Sequence, residues 1–279
     1  MTVAVACNLA EGVVLGVDSA TTLTNQQGEV VKTYEHAAKL FQLGSKPIGI
    51  ATYGSGALGN RTIGSYIRQF EVENPQKVVT QDTTVRDTVE QLRIFFLKRY
   101  KETVVPEMET REGKKFEDIP IEKRPFLGLP VGGFSAGKYL SEIWEIRIPL
   151  DEKPYSAKLW YGEGDFRPVW FSLNEPIVRY ELGYDRSLVA ELKQYFAKLR
   201  GSPLTDAEDA AMTAILNRYE YSIPFGGMPL GEGIAYVKFV VEMVINHYRF
   251  ATGAPVVGGK AQIGLVTYKG EKFQILEGG

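Results

Sequence analysis

The chain has 279 residues, 44% apolar and 24% charged, the balance of a soluble globular protein with one large domain or two small ones. A net charge of −2 leaves no electrostatic footprint for nucleic acid. The one cysteine, Cys7, excludes an internal disulfide framework and fits a reducing compartment.

Residues 1–17 are mostly apolar, but they lack a basic leader, and Glu11 and Asp18 interrupt the run, so neither a signal peptide nor a membrane helix is expected. The expected location is cytoplasmic, with no membrane partner. His36 and His247 stand far from any second ligand cluster, which excludes zinc spacing. A P-loop, a dinucleotide fingerprint and a Gly-x-Ser-x-Gly elbow are all missing, so no cofactor is expected.

In chain order, Thr2–Cys7 alternates and is rich in Val and Ala, which predicts a strand, and Val13–Val17 is a second short apolar strand; a turn at 8–12 joins them into a hairpin buried on at least one face. A second turn falls at Asn25–Gly28. Lys39–Leu43 and Ile48–Thr52 are strands around a turn at 44–47, followed by the cluster Gly54, Gly56, Gly59. A helix begins at Ile63. Val85, Val89, Leu92 and Phe96 then mark one face of a 3.6-residue repeat. The charged, proline-bearing stretch 101–125 reads as a loop or insertion. Strands return at 126–134, 143–148 and 158–161, and 166–227 mixes aromatic residues with helical pattern, with Thr205 or Asp206 as a cap. Another helix follows Pro229, with Ile234, Val237, Val241, Val244 or Ile245, and Tyr248 on its apolar face. A glycine-proline loop leads to a last strand, 261–267. This is not a βαβ alternation. It predicts an α+β fold of two sheets stacked between helix layers, as one domain, 1–279, with insertions at 101–125 and 166–227.

The chemistry starts at Met1-Thr2. A small second residue permits removal of the initiator methionine, which would put a free α-amine and a hydroxyl on one threonine. The amine, with a reference pKa of about 8, is a base near neutral pH for its own hydroxyl as nucleophile.

Three further stretches resemble the proteasome β subunits. Gly12–Thr22 is similar to their apolar strand that ends in an acid and a small polar run. Lys39-Leu40-Phe41-Gln42-Leu43 is similar to the strand that carries their catalytic lysine, and Gly49–Gly54 to the next strand with its oxyanion-hole glycine. Less specifically, Leu129–Phe134, Pro229–Ile234, Val257–Gly259 and Gln262–Val266 are similar to later parts of the family, whereas 101–125 and 166–227 are poorly matched.

The resemblance implies a divergent bacterial or archaeal hydrolase with an N-terminal nucleophile, the four-layer αββα sandwich of that fold, and a threonine-type peptidase activity. Thr2 would be the nucleophile, Lys39 its neighbouring ammonium and Asp18 the acid that holds Lys39. The Gly54 N–H would bind the oxyanion, and Thr21, Thr22 and Thr52 would meet the substrate. Lys32 is a weaker alternative to Lys39, lacking the Leu-Phe-Gln-Leu context. The family's acid near the end of the last long helix is missing, since that position falls near Tyr248 or Arg249. Glu163, where the family has a serine, is the expected replacement that holds the Thr2 amine.

The expected substrate is a peptide or a small amide. A small-molecule amidase or acyl transferase and an inactive structural subunit are the alternatives. Homo-oligomers, up to a ring, are implied. Neither a ring size nor an ATP-driven partner is readable.

Overall fold

In the computed structural model, which describes residues 2–24, 30–75, 84–252, 256–268 and 274–277, the two N-terminal apolar runs form an antiparallel hairpin. Strand β1 (Val3–Leu9) lies on β2 (Gly12–Asp18) with Ala4 opposite Val17. The turn expected at 25–28 lies outside the described residues. The expected loop after Phe250 is described only in part. Next come β3 (Thr21–Thr24) and β4 (Val30–Tyr34), which pair with each other. Then follow β5 (Leu40–Gln42), β6 (Ile48–Ala51), β7 (Tyr53–Gly54) and a small hairpin of β8 (Ala57–Leu58) and β9 (Arg61–Thr62). Helices α1 (Ile63–Glu73) and α2 (Val85–Glu112) precede β10 (Leu127–Gly133), β11 (Glu142–Ile148), β12 (Lys158–Tyr161) and β13 (Pro168–Ser172). Three helices follow, α3 (Glu175–Leu182), α4 (Arg186–Arg200) and α5 (Asp206–Leu216). After them come α6 (Leu230–Phe250), β14 (Ala261–Thr267) and β15 (Gln274–Glu277).

Two antiparallel sheets organise these strands. One has the order β13-β1-β2-β14-β15; the other has β12-β11-β10-β6-β5, with β7 also on β10. Helix α6 packs on β1, β2 and β14 of the first sheet, α2 packs on β10 and β11 of the second, and β2 touches β6 and β10 between the sheets. Strands β1 and β2 are therefore covered on both faces and buried at every position. Continuous burial of β1 corrects the alternation expected over Thr2–Cys7, since a strand covered on both faces needs no polar side. The sheets meet closely at Gly132, where an added Cβ would lie 2.6 Å from Cγ1 of Val13. The architecture is mixed and antiparallel, an α+β fold as expected.

Val85, Val89, Leu92 and Phe96 are all buried along α2, which Thr84 caps by accepting from the Asp87 N–H. Of the loop or insertion expected over 101–125, the loop is corrected. Helix α2 continues through Pro106 to Glu112 and ends on Gly113 in the left-handed conformation, and two short 3-10 turns follow at Phe116–Asp118 and Ile121–Lys123. Pro106 removes one helical hydrogen bond. Val104 and Met108, buried on either side of it, keep the helix on the core. On α6, Val237, Val241 and Val244 are buried as expected, and Val240 joins them.

Contacts divide the chain into two units, Met1–Leu173 with Phe225–Gly279, and Asn174–Pro224. In the smaller unit Thr205, rather than Asp206, is the cap of α5, with Glu208 closing a capping box. Lys193–Asp209 and Arg200–Glu208 ion pairs tie α4 to α5. No described helix is long and apolar enough to cross a membrane.

Candidate active site

Thr2 sits immediately before β1 and is buried; its carbonyl accepts from the Leu173 N–H at 3.3 Å. Asp18 is the last residue of β2, fully buried, and opposite Ala261 of β14. Lys39 stands one residue ahead of β5 rather than inside it. The hairpin register brings Asp18 beside the start of β1, and its Oδ1 accepts the Val3 N–H at 3.2 Å.

The three side chains meet. Lys39 Nζ donates to Thr2 Oγ1 at 2.8 Å and to Asp18 Oδ1 at 2.9 Å. The other oxygen of Asp18 accepts from the N–H groups of Ala20 at 3.2 Å and Gly258 at 3.3 Å. Burial pushes the Lys39 ammonium below the usual lysine range, and the adjacent Asp18 carboxylate opposes that shift. Burial likewise pushes Asp18 up, against Lys39 and the two N–H groups. These four partners of the Asp18 carboxylate are all donors, an environment suited to its ionised form. An ammonium at this distance is able to stabilise negative charge on the threonine oxygen.

The Lys39 backbone is clamped. Its N–H donates to Gln262 Oε1 at 3.0 Å, Gln262 Nε2 donates to the Ala37 carbonyl at 3.0 Å, and the Thr52 N–H donates to the Lys39 carbonyl at 3.0 Å. Ser19 adds a second clasp, since its Oγ accepts from the Lys260 N–H at 2.8 Å and donates to the Glu35 carbonyl. Sequence reading missed Gln262 and Ser19. For Gln262 a signal existed: it is a polar residue inside the otherwise apolar strand Ala261–Val266.

Thr2 and Lys39 open onto a cavity of about 770 Å³, whose wall also holds Thr21, Thr22, Thr52 and Gly54. The Thr22 hydroxyl is buried without a hydrogen-bond partner among the described residues. Gly54 has φ +81°, and a Cβ there would lie 2.2 Å from the Phe126 carbonyl oxygen, so both conformation and space require glycine. Lys32 is exposed on β4, its ammonium 5.3 Å from the Tyr34 ring centre, and is not in the wall.

Glu163 does not join this group. Its carboxylate is on the surface, 2.9 Å from Lys138 Nζ. Asn8 Nδ2 holds the flanking carbonyls of Gly162 at 3.5 Å and Asp165 at 2.9 Å. From Thr2 to Asn8 an extended strand runs roughly 20 Å. The turn that carries Glu163 is therefore docked at the far end of β1, and the expected replacement of the family acid by Glu163 is corrected.

No family model matches the chain, and no curated protein matches it significantly. Solved structures do. An Anbu mutant from Hyphomicrobium sp. strain MC1 superposes with a TM-score of 0.53 at 10% identity, covering 99% of this chain and 87% of that one. A second Anbu structure from the same strain gives 0.52 at 11% identity, with 99% and 87% covered. Anbu from Yersinia bercovieri, described as an ancestral beta-subunit, gives 0.49 at 12% identity, with 98% and 86% covered.

The fold is similar to that of Anbu. This corrects the expected resemblance to a divergent proteasome β-subunit-like hydrolase: the likeness runs to Anbu, a distinct family. At these identities the likeness to Anbu concerns the fold.

Proposed function

We propose that the site is an N-terminal-threonine amide hydrolase acting on peptide bonds once Met1 has been removed. The observation that carries this reading is the Lys39 ammonium, 2.8 Å from Thr2 Oγ1 and backed by Asp18, in the wall of a large cavity. The Thr2 hydroxyl oxygen attacks the substrate carbonyl carbon, and the freed α-amine of Thr2 takes the hydroxyl proton. Lys39 stabilises the charge on the attacking oxygen, and the Gly54 N–H serves the oxyanion. The tetrahedral species collapses as the α-ammonium protonates the leaving nitrogen, which leaves an ester on Thr2. Water, deprotonated by the same amine, then cleaves the ester and restores the threonine. Thr21, Thr22 and Thr52 flank the acyl group.

The size of the cavity also supports a small amide as substrate, since pockets for small molecules span about 300–1,000 Å³. In the same reading, α6 on one sheet and α1 and α2 beyond the other form a four-layer αββα sandwich. Association with further copies belongs to this proposal. It is supported by α4, which buries no residue and exposes Leu188, Leu192, Tyr195, Phe196 and Leu199 along one face.

The test is treatment of the purified protein with an epoxyketone or β-lactone, read by peptide mass spectrometry. The expected result is a single adduct on Thr2, absent in Thr2→Ala. Native protein that retains Met1 and takes no adduct would overturn the proposal.

A further inference from the structure

We infer that Arg68 makes this cavity selective for an acyl group that ends in a carboxylate, an inference that rests on the hydrolase reading above. The charges in the wall come first. Lys39 and Arg68 supply two cations, and Glu35 supplies one carboxylate. Asp18, the partner of Lys39, is fully buried behind it and is not in the wall. Among the described residues Arg68 makes no hydrogen bond, ion pair or ring contact, and Glu35 does not engage it. A guanidinium left unpaired beside a substrate cavity matches a carboxylate in charge and in its two-pronged geometry.

The position of Arg68 on α1 directs it. Gly64, Ser65 and Arg68 all line the cavity, and Gly64 lies one helical turn before Arg68 on the same face. Helical side chains lean toward the N-terminus of their helix. Arg68 therefore enters the wall from the helix face that also carries Gly64. Gly64 packs directly on Phe41, since a Cβ there would lie 2.7 Å from Cε1 of its ring. The Phe41 ring, in the same wall, gives the methylene groups of such an acyl chain an apolar bed. The first turn of α1 contains no acidic residue, so its positive end adds to the attraction for an anion.

The shared chemistry is an acyl chain of a few methylenes that ends in a carboxylate, found in a glutamyl peptide or in a small dicarboxylic monoamide. The experiment measures kcat/KM for coumarin amides of a glutamyl peptide, of its glutaminyl isostere, of a lysyl peptide and of glutaric acid. Its second arm is calorimetric binding of the same compounds to the Thr2→Ala protein, which reads recognition without turnover. The carboxylate compounds should exceed the glutaminyl isostere by about tenfold in both arms. Arg68→Gln should bring that ratio to about one, and Arg68→Glu should favour the lysyl peptide.

The peptide and monoamide arms tell the two sources apart. Turnover without a carboxylate preference, or a preference that survives in Arg68→Gln, overturns the role of Arg68 and leaves the hydrolase reading standing. Preferential binding without turnover in the unmutated protein overturns the hydrolase reading and keeps the carboxylate site. Neither binding preference nor turnover overturns both.

Discussion

Lys39 Nζ reaches Thr2 Oγ1 at 2.8 Å, joining a residue that precedes the first strand of one sheet to a residue that precedes the edge strand of the other. The contact exists because both groups are held from behind. Asp18 receives the Val3 N–H and the Lys39 ammonium on the same oxygen, so one carboxylate sets the spacing between them.

Lys39→Ala should lower the rate of adduct formation on Thr2 by about 10²–10⁴-fold, the usual span for a positioned group at the reacting atom. It also leaves the buried Asp18 carboxylate without its cation and should cost about 3 kcal/mol of stability. Pseudo-first-order labelling kinetics and urea unfolding measure the two effects separately.

Asp18→Asn should move the alkaline limit of the reaction to lower pH. Asp18 holds the Lys39 ammonium up against the burial that pushes it down. Without the carboxylate, Lys39 loses its proton at a lower pH, and the stabilised threonine oxygen loses its cation there. A pH profile of labelling for both proteins checks this, and an unmoved alkaline limb would contradict the role given to Lys39.

Gly54→Ala should be destabilising by about 1–3 kcal/mol from the left-handed backbone alone. The 2.2 Å approach of the new Cβ to the Phe126 carbonyl adds to this, because a backbone oxygen in the sheet yields little. Thermal unfolding reads the stability loss, and labelling of the folded fraction reads the effect on the site.

Glu163→Gln should leave the labelling rate unchanged and alter stability by no more than about 0.5 kcal/mol, since it breaks an exposed ion pair with Lys138. A large loss of activity in this variant would restore the contact with the Thr2 amine that the far-end docking of its turn rules out.

Part of this site was legible as local sequence. Asp18 ends an apolar run that a hairpin folds back beside Thr2, so their proximity needs only the pairing of neighbouring strands. Lys39 beside an apolar strand signals a buried charge, and Gly54 in a cluster of glycines signals unusual backbone. Gln262, which clamps Lys39 from β14, is not legible as a site residue, because only tertiary packing brings that strand across. Glu163 illustrates the opposite failure. Its position in the resembling turn predicts a place in the site, while Asn8 holds that turn at the other end of β1.

The sequence by itself determined the strands of the N-terminal hairpin and the apolar faces of α2 and α6, because periodicity acts over short range, and it singled out Thr2, Asp18, Lys39 and Gly54 as candidates. The tertiary structure alone decided that α2 persists through Pro106, that Glu163 is remote and that Arg68 faces the cavity. Those outcomes depend on which surfaces bury one another, and burial couples residues that the chain order keeps far apart.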